Sequence, residues 1–219
     1  MTAHVSPLPG PLWSVLDDIA SRHPDHDALV ADDGRLSYRD LHAQVEATAR
    51  AMLALGLQRG DHIGVLMGNS VQWAVLWYAA ASIGLVCVPF NTRFRTEELG
   101  YGLSHEDVRA LFCVDRFLGK IDFNAMLREL EPAIDRALPG AALPLLRQVV
   151  VFGEQVPAGA LGAQRFLDLG KGIGSADLNA ARDAVGADDT LLIQFTSGTT
   201  AFPKGCLLYT SDAADEEDS

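Results

Sequence analysis

Three observations in the 219-residue sequence predict an α/β fold with helices layered on a largely parallel sheet. Short apolar segments alternate with segments of helical period along most of the chain, the pattern of parallel strands joined by crossover helices. The stretch from Ile63 to Thr92 carries no Asp, Glu, Lys or Arg, as expected of a unit buried on several sides. The apolar strand at 191–195 runs directly into a loop rich in Ser, Thr and Gly.

After a Pro-rich start, Leu12, Val15, Leu16 and Ile19 form a helical stripe. Residues 27–31 and 35–38 read as strands around the turn Asp32-Asp33-Gly34. Ser37 is placed to cap a helix over 39–55 whose apolar face is Leu41, Val45, Ala49 and Met52, with Gly56 as its stop. The uncharged stretch is long enough to span a bilayer, but Gly68-Asn69-Ser70, Gly84 and Pro89 interrupt it. It resolves instead into strand 62–66, a helix over 70–84 capped by Asn69 or Ser70, and strand 85–89. No transmembrane segment is expected. Trp73, Trp77 and Tyr78 on that helix are expected in the core. A helix near 96–104, a strand at 109–114, helical material over 122–138 broken at Pro132, and a strand at 147–152 follow. Residues 153–175 are Gly-rich without strong periodicity and read as a connection.

A formal charge of −12 argues against a nucleic-acid partner, which favours a basic face. The acidity is uneven, because residues 206–219 hold Asp212, Asp215, Glu216, Glu217 and Asp218 and no Lys or Arg; without them the chain has 17 basic and 24 acidic residues, a net of −7. Cys87, Cys113 and Cys206 have neither zinc nor redox spacing and are expected as buried thiols in a reducing cytoplasm. The six histidines form no metal spacing, and no secretory signal is evident.

The chemistry concentrates at 196–205, Thr-Ser-Gly-Thr-Thr-Ala-Phe-Pro-Lys-Gly. A polyphosphate needs many donors at close range and a cation. Gly198 lets the backbone approach closely. Thr196, Ser197, Thr199 and Thr200 place four hydroxyls beside consecutive backbone N–H groups, the composition of an anion-binding nest. Pro203 stiffens the far arm, and Lys204 offers a point charge. The nucleotide P-loop pattern fails here, because Pro203 stands where its second Gly belongs and Gly205 where its hydroxyl residue belongs.

Thr196 to Gly205 resembles the T-S-G-T-T-G-x-P-K-G signature of the adenylate-forming superfamily, agreeing at eight of nine defined positions, with Ala201 in place of Gly. The resemblance extends upstream in order. Leu36-Ser37-Tyr38-Arg39-Asp40-Leu41 is similar to an early LTYREL segment, and residues 55–65 to LGLxxGDxVAV. Residues 88–99, Val-Pro-Phe-Asn-Thr-Arg-Phe-Arg-Thr-Glu-Glu-Leu, are similar to VPLNPRYTPEEL. Asn91-Thr92-Arg93-Phe94 is closer to the fatty-acyl and aryl-acid CoA ligases than to peptide-synthetase domains, which carry Asp-Pro there.

The resemblance implies an incomplete N-terminal domain of an ATP-dependent acid:CoA ligase, cytoplasmic and serving fatty-acid metabolism. Its substrates would be a carboxylic acid, ATP and coenzyme A, with Mg2+ as cofactor. It implies phosphate-binding roles for Thr196, Ser197, Gly198, Thr199, Thr200, Lys204 and Gly205, of which Thr196 and Lys204 would act in catalysis; it assigns no metal ligand. Past Gly205 the family pattern stops. Residues 1–205 read as a partial AMP-binding domain, and 206–219 as an acidic tail similar to the translation of a sequencing adapter. Strands in such a fragment would lack later partners, so the chain alone is expected to aggregate and to activate no acid. A noncatalytic phosphate-binding module and a nonfunctional truncated product stay open as alternatives.

Overall fold

The computed structural model describes residues 10–196 and 204–209. Helix α1 (Leu12–Arg22) leads into the hairpin β1 (Asp27–Ala31) and β2 (Gly34–Ser37). Ser37 then caps α2 (Tyr38–Ala54), its Oγ accepting from the Asp40 N–H at 3.2 Å. Gly56 follows with φ +79°, the left-handed stop that suits glycine. Strand β3 (His62–Leu66), helix α3 (Val71–Ser82) and strand β4 (Val86–Pro89) form a parallel unit. Of the two candidate caps for α3, Ser70 fills the role, accepting from the Trp73 N–H at 3.1 Å.

Helix α4 (Thr96–His105) returns the chain to β5 (Ala110–Cys113) on the far side of β3. A small hairpin, β6 (Arg116–Phe117) and β7 (Ile121–Asp122), precedes α5 (Phe123–Leu130). Pro132 ends the helical run as expected and opens a 3-10 turn. Strand β8 (Gln148–Val151) pairs with β5 and with the short β9 (Leu161–Gly162). Helices α6 (Ala163–Leu169) and α7 (Ser175–Asp183) lead to β10 (Thr190–Thr196) and β11 (Lys204–Tyr209). The segment expected to be an unstructured connection thus holds β9 and α6. Phe166, fully buried against Phe112, gives α6 its anchor in the core.

The seven-stranded sheet runs β11-β10-β4-β3-β5-β8-β9, parallel throughout except for antiparallel β11. Its apolar side chains fall into two clusters, one on each face. Leu41, Val45, Met52, Val75 and Leu76 from α2 and α3 meet Ile63, Val65 and Cys87 on one face. Leu99 and Leu103 from α4 and Phe123 and Leu127 from α5 meet Leu66, Leu111 and Val149 on the other. β3 and β5 sit between two helical layers, which is why they read as nearly continuous apolar runs. None of the helices among the described residues is long and apolar enough to cross a membrane.

Two expectations are corrected. Trp73, Trp77 and Tyr78 lie half-buried at the margin of the first cluster rather than within it. Cys87 and Cys113 are buried, and burial pushes both thiols up to about 12, whereas Cys206 is exposed on β11. With Ellman's reagent, one thiol should react in the native chain and three after denaturation. Rapid native modification of all three would contradict this packing.

A buried carboxylate organises the loop after α5. Glu131, 4% exposed, accepts from the N–H groups of Ala133 (3.1 Å), Ala142 and Leu143 (both 2.9 Å). Burial pushes the Glu131 carboxyl up, but these three donors outweigh it and hold it below its usual range. Gly140 makes the arrangement possible, since a Cβ there would fall 2.0 Å from Glu131 Oε1. Gly140→Ala should therefore destabilise the chain by about 1–3 kcal/mol in urea unfolding. The contribution of Glu131 is complete above its unfolded value near 4.3 and is lost as pH falls through the lower folded value. Glu131→Gln should flatten that acid limb while lowering stability at neutral pH.

Candidate functional site

The sheet order creates a crevice. From β3 the chain moves through α3 on one face to β4, and from β4 through α4 on the other face to β5. Adjacent strands β3 and β4 thus send their outgoing segments to opposite sides, opening a gap at their carboxyl ends, the usual place for ligands in such sheets. A cavity of about 460 Å³ lies there. Met67, Gly68 and Asn69 line it from the end of β3, and Pro89, Phe90, Asn91 and Thr92 from the end of β4. Leu192 and Gln194 of β10, Trp73 of α3 and Phe117 of β6 complete the wall.

Phe117 can reach this wall because position 68 has no side chain: a Cβ on Gly68 would meet Phe117 Cε2 at 2.6 Å. Phe90 is seated similarly, beside Gly64 and Gly102, and stacks on Phe195 with ring centroids 5.7 Å apart. Asn91 Oδ1 accepts from the Arg93 N–H at 3.0 Å, turning the chain toward α4. Among the described residues, none that line the cavity is ionisable. The wall is apolar, with carboxamide and hydroxyl groups at Asn69, Asn91, Thr92 and Gln194.

The signature meets this crevice at the end of β10. Thr196 and Lys204 are register partners in the β10–β11 ladder, as are Phe195 and Gly205. Both ends of the loop are therefore held about 5 Å apart at the carboxyl edge of the sheet. Gly205 is required to be small, because a Cβ would meet Glu106 Oε1 at 2.6 Å and Ile193 Cγ2 at 2.8 Å. Ser197, Gly198, Thr199 and Thr200 lie outside the described residues, with the rest of 197–203.

The opposite end of β10 is clamped. Arg59 donates through Nε to Asp189 Oδ2 at 2.7 Å and through Nη2 to Oδ1, a two-pronged contact between segments 130 residues apart. The Arg59 guanidinium holds the Asp189 carboxyl below the usual range against the opposing effect of partial burial, and the Gly186 N–H adds to it. Gly84, at φ +71°, leaves room for the arginine stem, which a Cβ would approach to 2.8 Å.

Sequence reasoning located the loop but missed Gly68, Asn69, Trp73, Phe117 and Gln194 as parts of one crevice. The available signals were the Gly68-Asn69 break after β3, which the sequence presents as an interruption and a helix cap, and an aromatic at 117 beside a turn. Among the described residues, no group of three His, Cys, Asp or Glu could hold a metal ion.

The family of AMP-binding enzymes matches residues 16–215, most of the sequence. The chain belongs to that family. It is 33% identical over 204 residues to the mitochondrial medium-chain acyl-CoA ligase ACSF2 of Bos taurus, covering 88% of this chain and 32% of that protein. Against the inhibitor-bound N-terminal domain of FACL13 from Mycobacterium tuberculosis, the TM-score is 0.66 at 26% identity, covering 92% of this chain and 44% of that one. The anthranilate CoA ligase AuaEII, solved with anthranoyl-AMP, shares the fold with a TM-score of 0.75 at 22% identity, covering 97% of this chain and 37% of that one. The chain spans about a third of the length of the curated relatives it matches.

The clamp sets the register of β10, and with it the position of both loop ends. Asp189→Asn keeps the shape but weakens a charge-assisted pair, and should lower the urea midpoint. Circular dichroism followed through urea unfolding measures this; an unchanged midpoint would remove the clamp from the fold's determinants.

Proposed function

We propose that this chain supplies the phosphate-binding part of an ATP-dependent acid:CoA ligase. The observation that carries the reading is the seat of the signature: Thr196 and Lys204 are paired at the carboxyl end of β10, beside the crevice between β3 and β4. In this reaction a substrate carboxylate attacks the α-phosphorus of ATP, giving an acyl-adenylate and pyrophosphate. The thiol of coenzyme A then attacks the acyl carbon, and AMP leaves as the thioester forms.

Backbone N–H groups at Gly198 and hydroxyls of Thr196, Ser197, Thr199 and Thr200 hold the β- and γ-phosphates. Lys204 offsets the charge that accumulates on the departing pyrophosphate, and Gly205 keeps the strand close to β10. The similarity to a medium-chain acyl-CoA ligase supports CoA as the acceptor, as does the Asn91-Thr92-Arg93-Phe94 segment. Residues 1–205 carry the AMP-binding function; residues 206–209 complete β11 and the family match continues to residue 215, but none of the proposed chemistry falls on residues 206–219. The 219-residue chain alone does not complete the reaction.

The test continues the reading frame past Gly205 in independently prepared DNA and measures ATP–pyrophosphate exchange on the encoded protein with medium-chain and aryl acids. Exchange is expected, and Lys204→Ala should reduce it by about 10²–10³ while leaving the fold intact. No exchange with any acid, or exchange indifferent to Lys204→Ala, would overturn the proposal. Acyl-hydroxamate formed by the 219-residue chain alone would refute its inactivity.

A further inference from the structure

Helix α7 delivers the chain to β10, yet it has little with which to hold its place. Its buried residues are Leu178 and Arg182, one turn apart on the same face. Arg182 is 5% exposed, the one buried basic residue among those described. Two other helices supply its surroundings. Nη1 donates to Glu46 Oε1 of α2 at 3.1 Å and lies 3.8 Å from Asp17 Oδ2 of α1. The Trp13 ring of α1 lies against the guanidinium, its centroid 5.6 Å from Cζ. These partners are themselves held: His42 of α2 meets Asp17 Oδ1 at 2.9 Å, and Arg50 donates to Glu46 Oε2 at 3.4 Å.

A buried cation is a poor adhesive between helices. Desolvation offsets most of what such a pair gains, and an apolar side chain of similar size often stabilises more. Here the cost is raised further, because Nε of Arg182, Nε of Arg50 and Nε1 of Trp13 are buried without a hydrogen-bond partner among the described residues. What the arrangement contributes instead is location. A leucine at 182 would pack at several offsets along α2, whereas a planar guanidinium that meets Glu46, Asp17 and the Trp13 ring together fits one.

From Arg182 a bonded path leads to the signature. The Arg182 carbonyl accepts from the Val185 N–H at 3.0 Å, closing α7. The Gly186 N–H donates to Asp189 Oδ2 at 3.1 Å, and Asp189 is the residue that Arg59 clamps. Thr190 then opens β10, and Thr196 ends it. The start of α1 supports the same junction, since Pro11 and Leu12 line a small cavity with Val185, Asp189 and Leu191.

We infer that Arg182 is a positioning residue for the phosphate loop. It fixes α7 along its axis, and through Asp189 it fixes where β10 starts and where Thr196 stands. The inference rests on the ATP-dependent reading above.

The experiment measures ATP–pyrophosphate exchange on the protein encoded by the continued frame, varying ATP and the acid in turn, for Arg182→Met, Arg182→Lys and Glu46→Gln. Arg182→Met keeps the length of the side chain and removes its charge and fork. Its KM for ATP should rise about five- to tenfold with the KM for the acid unchanged, the effect of displaced phosphate donors. Arg182→Lys, which restores a charge toward Glu46, should recover part of the loss, and Glu46→Gln should move the KM for ATP in the same direction as Arg182→Met. Lys171→Met, which breaks an exposed pair with Asp168, should change nothing. Amide hydrogen exchange in Arg182→Met should quicken over 184–196 while β3 and β5 stay as protected as before.

Turnover that falls in proportion to the folded fraction, with the KM for ATP unmoved, would make Arg182 a structural residue only and overturn the inference. An unmoved KM in all three variants would do the same; if Arg182→Met does not fold, Arg182→Lys and Glu46→Gln decide the matter. No exchange by the unsubstituted protein overturns the ATP-dependent reading and the inference with it. Exchange that is lost in Lys204→Ala but indifferent to Arg182 overturns the inference alone.

Discussion

Burial of β3 on both faces is the constraint from which the rest of the architecture follows. A strand with no route to water needs cover on both faces, which the helices of this sheet supply, and its neighbours β4 and β5 run parallel to it, as sheets covered on both faces usually do. Right-handed crossovers then require leftward and rightward moves through the sheet to use opposite faces. α3, α6 and α7 accordingly accompany moves toward β4 and β10 on one face, and α4 and α5 accompany moves toward β5 and β8 on the other. The crevice at the carboxyl ends of β3 and β4 is the geometric residue of that reversal. It is present whatever side chains line it, and the signature loop stands at its rim because β10 joins the sheet beside β4.

Glycines and carboxylates refine this frame at close range. Gly64, Gly68 and Gly102 admit aromatic rings that any side chain would displace, so the wall of the crevice is built from absences as much as from groups. Asp115 serves the neighbouring loop in the way Glu131 serves its own. Burial pushes the Asp115 carboxyl up, but N–H groups of Gln155, Arg116 and Glu154 outweigh it and hold it below the usual range. These acids spend their charge on loop backbone and stand apart from the cavity, so their depressed values mark structural rather than chemical roles.

Local signals were legible wherever a short-range rule decided the outcome. Ser37, Ser70, Gly56 and Pro132 each act within a turn of their own position, and each does what its residue type predicts. The helix α6 escaped notice because its seven residues contain only one core anchor, Phe166, too few to show a period. The hairpin of β6 and β7 is marked only by Gly119 in its turn, because Leu118 adopts φ +52° where Asn or Gly would be the usual residue and its strands are two residues each. Trp73 was read as core because its helix is apolar all round; its place at the margin depends on where β4 and β10 end, which local pattern does not encode. The signature could be recognised as a phosphate loop from composition, yet its relation to Gly68 and Phe117 required the strand order.

The register pairing of Thr196 with Lys204 has a consequence for how this site can change over time. Because the two anchors face each other across one ladder, residues between them can be gained or lost without moving either strand. A single insertion within β11 would instead turn every later side chain to the opposite face. The ladder thus sets the footing of the loop, while the ten-residue signature between and at its anchors sets its chemistry, so the two are constrained separately.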